Sequence, residues 1–384
     1  MRVLFVSRRG IFSAQGGEQV QIRATAAALR PLGVEVEIAS EVPQDCRGYD
    51  VVHFFGLDQD HIDKIKRARG ARRALTPVFW DPYQQFGQEW DRQPRSRAVR
   101  RIAKWRRQLR RRPERGARRR GLRAFLAAEG PLPREKRDYN WAAFQEVIDE
   151  IELFLPNSEA EMDSLRRSFV LERRPRYAVV HNAIDLATID QQSDYWDRRL
   201  GLGRFILCSA GLDPRKNQYN LVRALEGVDI PIVLAGQVRD ETYAHAVAAL
   251  AKSVGAEVRF LGHLDRADLN SLYAHATAHV LPSYHETPGI SNLEAIAHGC
   301  PNVSTRIGGL EEYVGRHSLY CNPYSVDHIR EQARRALELP RRPEGAAFVR
   351  ERYTWEAAAR ETQEGYEMVL RAGGDSAAGT SGAG

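Results

Sequence analysis

Two carboxylates, Glu286 and Glu294, stand eight residues apart in the stretch His285-Glu286-Thr287-Pro288-Gly289-Ile290-Ser291-Asn292-Leu293-Glu294. A carboxylate can accept hydrogen bonds from the paired hydroxyls of a sugar, while unpaired N–H groups at a helix start attract phosphate. Together they suit a nucleotide-sugar, provided both acids face one crevice. The apolar run Ala278-His279-Val280-Leu281 reads as a short buried strand closed by Pro282 and Ser283. Thr287-Pro288-Gly289 makes a turn, and a helix begins near Ile290 and stops at Gly299, with Pro301 just beyond. This places Glu286 on a strand-to-helix loop and Glu294 one turn into the helix. The plain alternative is a solvated loop residue and an exposed helix residue.

A second constellation lies upstream. Phe205-Ile206-Leu207-Cys208-Ser209-Ala210-Gly211 reads as a strand ending in glycine, followed by Leu212-Asp213-Pro214-Arg215-Lys216-Asn217. Glycine at a strand end with two cations before a helix makes a diphosphate cradle, because lysine supplies a point charge, arginine a fork and the helix its free amides. An isolated Arg-Lys pair is otherwise surface charge.

The carboxylate segment, continued by Gly308-Gly309-Leu310-Glu311-Glu312, resembles the E-x₇-E segment of the retaining glycosyltransferases of family 4. The stretch His181-Asn182-Ala183-Ile184-Asp185 is similar to that family's interdomain Pro-Asn-Gly-Val-Asp, and Arg215-Lys216 falls in its Gly-Arg-Leu-x-x-x-Lys element. The resemblance spans residues 1–53, 150–185, 204–314 and 348–366. It implies an α/β chain of the GT-B fold: two doubly wound Rossmann-like domains facing a central cleft, with a C-terminal helix crossing back to the first domain. It implies that Glu286 contacts the hydroxyls of the donor sugar and Glu294 the ribose. Lys216 and Arg215, with the backbone around Pro288, Gly289, Ile290 and Ser291, stabilise the leaving diphosphate. Gly16 and Gly17 approach the donor from the first domain, and Leu264 lies near the base. The chain departs from the pattern twice. The family's arginine falls on Gly211, with Arg215 the expected substitute, and Trp80-Asp81 stand where many members place a histidine near the sugar.

Elements to position these groups are visible along the chain. Val3-Leu4-Phe5-Val6, the helical pattern from Val20 to Leu29 and the alternating Val34-Glu35-Val36-Glu37-Ile38 open a parallel sheet. Tyr49 to Phe55 and Leu75 to Asp81 read as further strands, as do Pro231 to Gly236 and Val258 to Leu264. At 384 residues the chain holds two domains of ordinary size. We divide it into an N-terminal, acceptor-side domain 1–185, a linker 186–203, a nucleotide-sugar domain 204–352, a crossover helix 353–372 and a disordered tail 373–384.

Charge is unevenly spread. Residues 92–123 hold sixteen basic residues against the single acid Glu114, a net of +15, so the rest of a chain that totals +7 carries −8. Within this arm Ala98, Ile102, Trp105 and Leu109 fall at helical spacing, an amphipathic basic helix of the kind that binds anionic membrane surface or an anionic acceptor. The competing reading is a solvated cover on the first domain. No nucleic-acid module accompanies the charge, and nucleic acid is not expected as a partner. Asp58-Gln59-Asp60 has the form of a metal-binding DxD, but it precedes His61-Ile62-Asp63-Lys64-Ile65, where the acids would cap a helix start, so no metal is expected. The four cysteines are isolated and read as small buried hydrophobes. No secretory signal or membrane span is apparent, and the expected location is cytoplasmic, with peripheral contact at the inner face of the membrane through the arm.

The expected activity is retaining, metal-independent and cofactor-free transfer of a sugar from a nucleoside diphosphate sugar to a hydroxyl acceptor, lipid-linked if the arm meets membrane, in cell-surface glycan or glycolipid assembly. The alternatives are glycosylation of a soluble small molecule, a nucleotide-sugar epimerase or hydrolase on the same fold, and a degenerate module that binds glycan or membrane.

Overall fold

The computed structural model describes residues 1–9, 17–79, 141–171, 174–287 and 289–378. Gly16, Trp80, Asp81, Pro288 and the basic arm 92–123 lie outside them. The chain divides into two units, one made of Met1–Val180 with Ala359–Gly384 and the other of His181–Ala358.

The first unit is built on a parallel sheet in the order β2-β1-β3-β4-β5-β6, with β1 Arg2–Val6, β2 Glu35–Ala39, β3 Val51–Phe55, β4 Arg72–Thr76, β5 Leu153–Phe154 and β6 Arg176–Tyr177. The central strands carry apolar residues without alternation because both their faces are covered: all five residues of β3 are buried. The second unit repeats the plan in the order β12-β11-β10-β7-β8-β9. Its strands are β7 Ile206–Ser209, β8 Ile232–Ala235, β9 Val258–Gly262, β10 Ala278–Val280, β11 Asn302–Thr305 and β12 Leu319–Cys321. In both sheets the strand order reverses next to the first strand, and open parallel sheets bind ligands beyond the strand ends at such a reversal. In the second unit the reversal falls between β7 and β10, the strands that lead to Lys216 and Glu286.

Four expectations shift. The first unit ends at Val180, ahead of Asp185. Residues 186–203, read as linker, contain the helical turns Leu186–Ile189 and Trp196–Leu200, and Leu200 and Leu202 are buried in a core of the second unit with Phe205 and Tyr273. The strand read at Leu75 to Asp81 is β4, which starts at Arg72. Pro77 has no N–H to continue the ladder, and the charge of Arg72 and Arg73 is matched by ion pairs to Glu152 and Glu150. The terminal helix runs Trp355–Ala378, so only 379–384 of the expected tail lie outside the described residues. All four cysteines are buried and free.

The acids of Asp58-Gln59-Asp60 are occupied locally. The Asp58 side chain accepts from the Asp60 N–H and caps the short turn Gln59–His61, while Asp60 pairs with buried Lys64. A buried acid, Glu161, joins a helix cap to the loop after β4. Ser158 accepts from the Glu161 N–H, and the Glu161 carboxylate accepts from Asn157 N–H at 2.6 Å and Phe79 N–H at 2.5 Å.

The terminal helix is fastened to the first unit through a buried histidine. His53, in the middle of β3, meets the Tyr366 hydroxyl at 2.6 Å through Nδ1 and Thr76 Oγ1 at 2.8 Å through Nε2. Burial pushes its pKa down to about 3, so the ring is neutral in the fold. The unfolded chain binds a proton at this site near pH 6.5, the folded chain only near 3, so stability is complete above 6.5 and declines as pH falls between the two. Urea unfolding measured from pH 7 to pH 4 should show this fall, and His53→Gln should flatten the slope by close to one proton. A Tyr366→Phe variant should cost about 1 kcal/mol through the lost hydrogen bond. An unchanged slope in His53→Gln would show that the ring titrates in the folded chain.

Candidate functional site

The sequence element around Glu286 folds largely as its signals dictate. β10 ends at Val280, and the helix Ile290–Ala297 starts at Gly289, whose φ of 75° is left-handed, and closes before Gly299, with φ of 70°. Glu286 lies on the intervening loop, with 2% of its surface exposed. Its backbone is fixed by a second loop: the Glu286 N–H donates to Ile307 O at 2.9 Å and its carbonyl accepts from Gly309 N–H at 3.1 Å. Between them, a Cβ on Gly308 would lie 1.7 Å from the Glu286 carbonyl oxygen, and φ there is 122°, so only glycine fits.

Lys216 reaches Glu286 from the loop after β7. The Lys216 ammonium donates to Glu286 Oε1 in an ion pair whose side chains are only 13% and 3% exposed. Two further bonds join the same loops: Tyr284 N–H to Arg215 O at 2.9 Å, and Asn217 Nδ2 to Pro282 O at 2.9 Å. Asn217 also donates to Pro323 O at 2.9 Å and takes the left-handed conformation, φ 61°, which turns the short Pro214–Lys216 segment into the helix Gln218–Ala224. Burial raises the Glu286 carboxyl, but the charges of Lys216 and Arg215 with the Lys216 hydrogen bond outweigh it and hold the group below its ordinary range. Glu286 is therefore ionised. Beside it, a Cβ on Gly289 would fall 2.7 Å from Glu286 Oε2 and 2.6 Å from Asn292 Nδ2. The buried amide of Asn292 has no hydrogen-bond partner among the described residues, so a polar donor and acceptor stand idle next to the carboxylate.

Glu294 has a different environment. Its Oε1 pairs with Arg266 and its Oε2 accepts from the Tyr273 hydroxyl at 3.1 Å. Burial prevails here, and the carboxyl is raised despite Arg266. Arg266 keeps 42% of its side chain exposed, so a ligand can reach the pair from that side. Nothing in the sequence marks Arg266, Tyr273, Asn217 or Asn292 as neighbours of these loops, and the fold alone brings them there. Arg266 and Tyr273 lie 28 and 21 residues from Glu294, and no short-range pattern links them.

The remaining candidates fall as follows. Gly211 lies two residues beyond the end of β7, Arg215 sits on the Pro214–Lys216 turn, and Ile290 and Ser291 open the helix that carries Glu294. Leu264, after β9, packs half-buried against the core that holds Leu207 and Tyr273. Gly17 is the first residue of the helix Gly17–Leu29 in the first unit.

Residues 198–355 match the family described as Glycosyl transferases group 1. The chain is 31% identical over 194 residues to the serotype-specific mannosyltransferase WbdA of Escherichia coli, across 46% of this chain and 23% of that protein. It is 30% identical over 212 residues to the D-rhamnosyltransferase WbpZ of Pseudomonas aeruginosa, across 52% of this chain and 53% of that protein. The chain thus matches about half the length of WbpZ and under a quarter of WbdA. Among solved structures, a sucrose-phosphate synthase from Thermosynechococcus elongatus superposes with a TM-score of 0.70 at 17% identity, over 97% of this chain and 99% of that one. HepE of Anabaena, solved in complex with UDP-glucose, gives 0.58 at 15% identity, over 99% and 100%. In fold the chain is therefore of the GT-B type, and the unit that carries Lys216, Glu286 and Glu294 matches the group 1 glycosyl transferases.

Proposed function

We propose that the chain is a retaining glycosyltransferase of family 4 that moves a sugar from a nucleoside diphosphate sugar to a hydroxyl acceptor without a metal ion or cofactor. The observation that carries the reading is the buried Lys216–Glu286 pair at the strand reversal of the unit that matches the group 1 glycosyl transferases. HepE binds UDP and UDP-glucose, which supports a nucleotide-sugar donor for this chain. WbdA and WbpZ transfer mannose and D-rhamnose, and WaaG, which superposes with a TM-score of 0.58, takes part in lipopolysaccharide biosynthesis. A hexose or deoxyhexose joined to a cell-surface glycan is the product class these relatives support.

In this reading the bond between the anomeric carbon and the donor phosphate breaks with its electron pair passing to the diphosphate. The acceptor hydroxyl oxygen bonds to the same carbon from the same face, and its proton passes to the leaving phosphate. Negative charge grows on the phosphate and positive charge on the sugar. Lys216, Arg215 and the amides at Gly289 to Ser291 meet the first, and ionised Glu286 holds the sugar hydroxyls beside the second. Glu294 takes the ribose once Arg266 yields one of its oxygens. Nothing in this scheme assigns a task to a divalent ion. The arm 92–123 supplies peripheral contact with anionic membrane, on the strength of its +15 charge. No described helix is long and apolar enough to cross a membrane.

Turnover assays with UDP- and GDP-sugars test this reading. Lys216→Ala should lower kcat/KM by on the order of 10²–10³, and Glu286→Gln should act mainly on kcat. Glu294→Gln should act mainly on KM, because ribose binding is shared by ground and transition states. Parent-like turnover in Lys216→Ala would remove this pair from the chemistry. Gly308→Ala, which displaces the Glu286 backbone, should reproduce the kcat loss of Glu286→Gln and lower the melting temperature as well. Activity should persist in EDTA, and loss restored by Mg²⁺ or Mn²⁺ would refute the metal-independent scheme.

A further inference from the structure

In the second unit the Arg239 side chain occupies the space that a side chain on Gly211 would fill. A Cβ built there would lie 2.8 Å from Nε and 3.0 Å from Cδ of Arg239, so the arginine lies directly across the glycine. The placement is set by the backbone. The segment after β8 runs alongside the one after β7, with Leu212 N–H donating to Gln237 O at 2.9 Å and Arg239 N–H donating to Leu212 O at 3.1 Å. Leu212 and Val238 form a parallel bridge. Arg239 is exposed, and its guanidinium enters no ion pair among the described residues.

Charge at this strand edge makes the position consequential. Lys216 shares its charge with Glu286, so a doubly charged diphosphate at this strand end calls for a further cation beside it. Resting on the functional reading above, we infer that Arg239 is a diphosphate-binding residue: it supplies, from the loop after β8, the guanidinium that the resemblance places at position 211. Gly211 is then the clearance for Arg239, and the two positions form a unit. An arginine fork over the strand end pairs two phosphate oxygens at once, which a lone ammonium cannot do.

Binding of UDP and GDP, with uridine and guanosine as controls, decides the matter. Arg239→Ala should raise the Kd of the bound diphosphate at least tenfold and leave the nucleoside unchanged. Gly211→Ala pushes the arginine aside and should weaken diphosphate binding in the parent, yet change it less than twofold in Arg239→Ala, since coupled positions are not additive. Combining Gly211→Arg with Arg239→Ala should recover part of the lost affinity. If Lys216→Ala loses diphosphate binding while Arg239→Ala stays within twofold of the parent, this assignment falls and the functional reading stands. Additive effects of Gly211→Ala and Arg239→Ala also overturn it. If the parent binds neither UDP nor GDP, both fall together.

Discussion

The second unit depends on one buried charge being answered. Glu286 is an ionised carboxylate almost wholly removed from water, and such a group persists only with a partner of opposite charge and good geometry. Lys216 is that partner, 70 residues away in the chain. Removing one member of a buried pair commonly costs about 3–5 kcal/mol, since the other charge is left unanswered. The loops after β7 and β10 are therefore not independent. They are tied by the ion pair, by Tyr284 to Arg215 and by Asn217 to Pro282, and a shift in either loop is felt in the other.

This coupling separates the two glutamates that sequence spacing puts together. Glu286 is held below its ordinary pKa by cations, whereas Glu294, equally buried, is held above it. The difference lies in the neighbours: an ammonium bonded and a guanidinium nearby for the first, a half-exposed arginine and a tyrosine for the second. One acid is held as an anion by an enclosed ammonium, and the other shares its two oxygens between an arginine open to solvent and a tyrosine. Two residues of one type on one short segment thus acquire different chemistry from elements far away in the chain.

That distance marks what the sequence could disclose. Strands β1, β3, β7, β8 and β10 are visible because parallel strands covered on both faces are near-continuous apolar runs, interrupted in β3 and β10 by the buried His53 and His279. The helix carrying Glu294 is bounded by Gly289, Gly299 and Pro301, whose conformational limits announce themselves. The start of β4 is hidden in the sequence because two arginines open the strand, and their charge is matched by the distant glutamates at 150 and 152. Residues 186–203 looked featureless because their apolar residues are packed singly, without a period. Glu286, Lys216 and Glu294 stand out in the sequence through spacing and the family resemblance together, and the fold gives each of them an oppositely charged partner. Arg266, Tyr273 and Asn217 do not stand out, since each acts on a partner fixed only by the folded sheet.

The return of the terminal helix has a consequence for how the chain matures. Residues 181–358 are continuous, and every strand of their sheet is available once that stretch has been made. The first unit is interrupted, and its core waits for Tyr366 to reach His53, 313 positions earlier. On a ribosome, where domains fold as units while synthesis proceeds from the N-terminus, the half begun first is completed last. The apolar surface that Ala359, Tyr366 and Val369 bury in the first unit is supplied with its cover only after the second half has been translated.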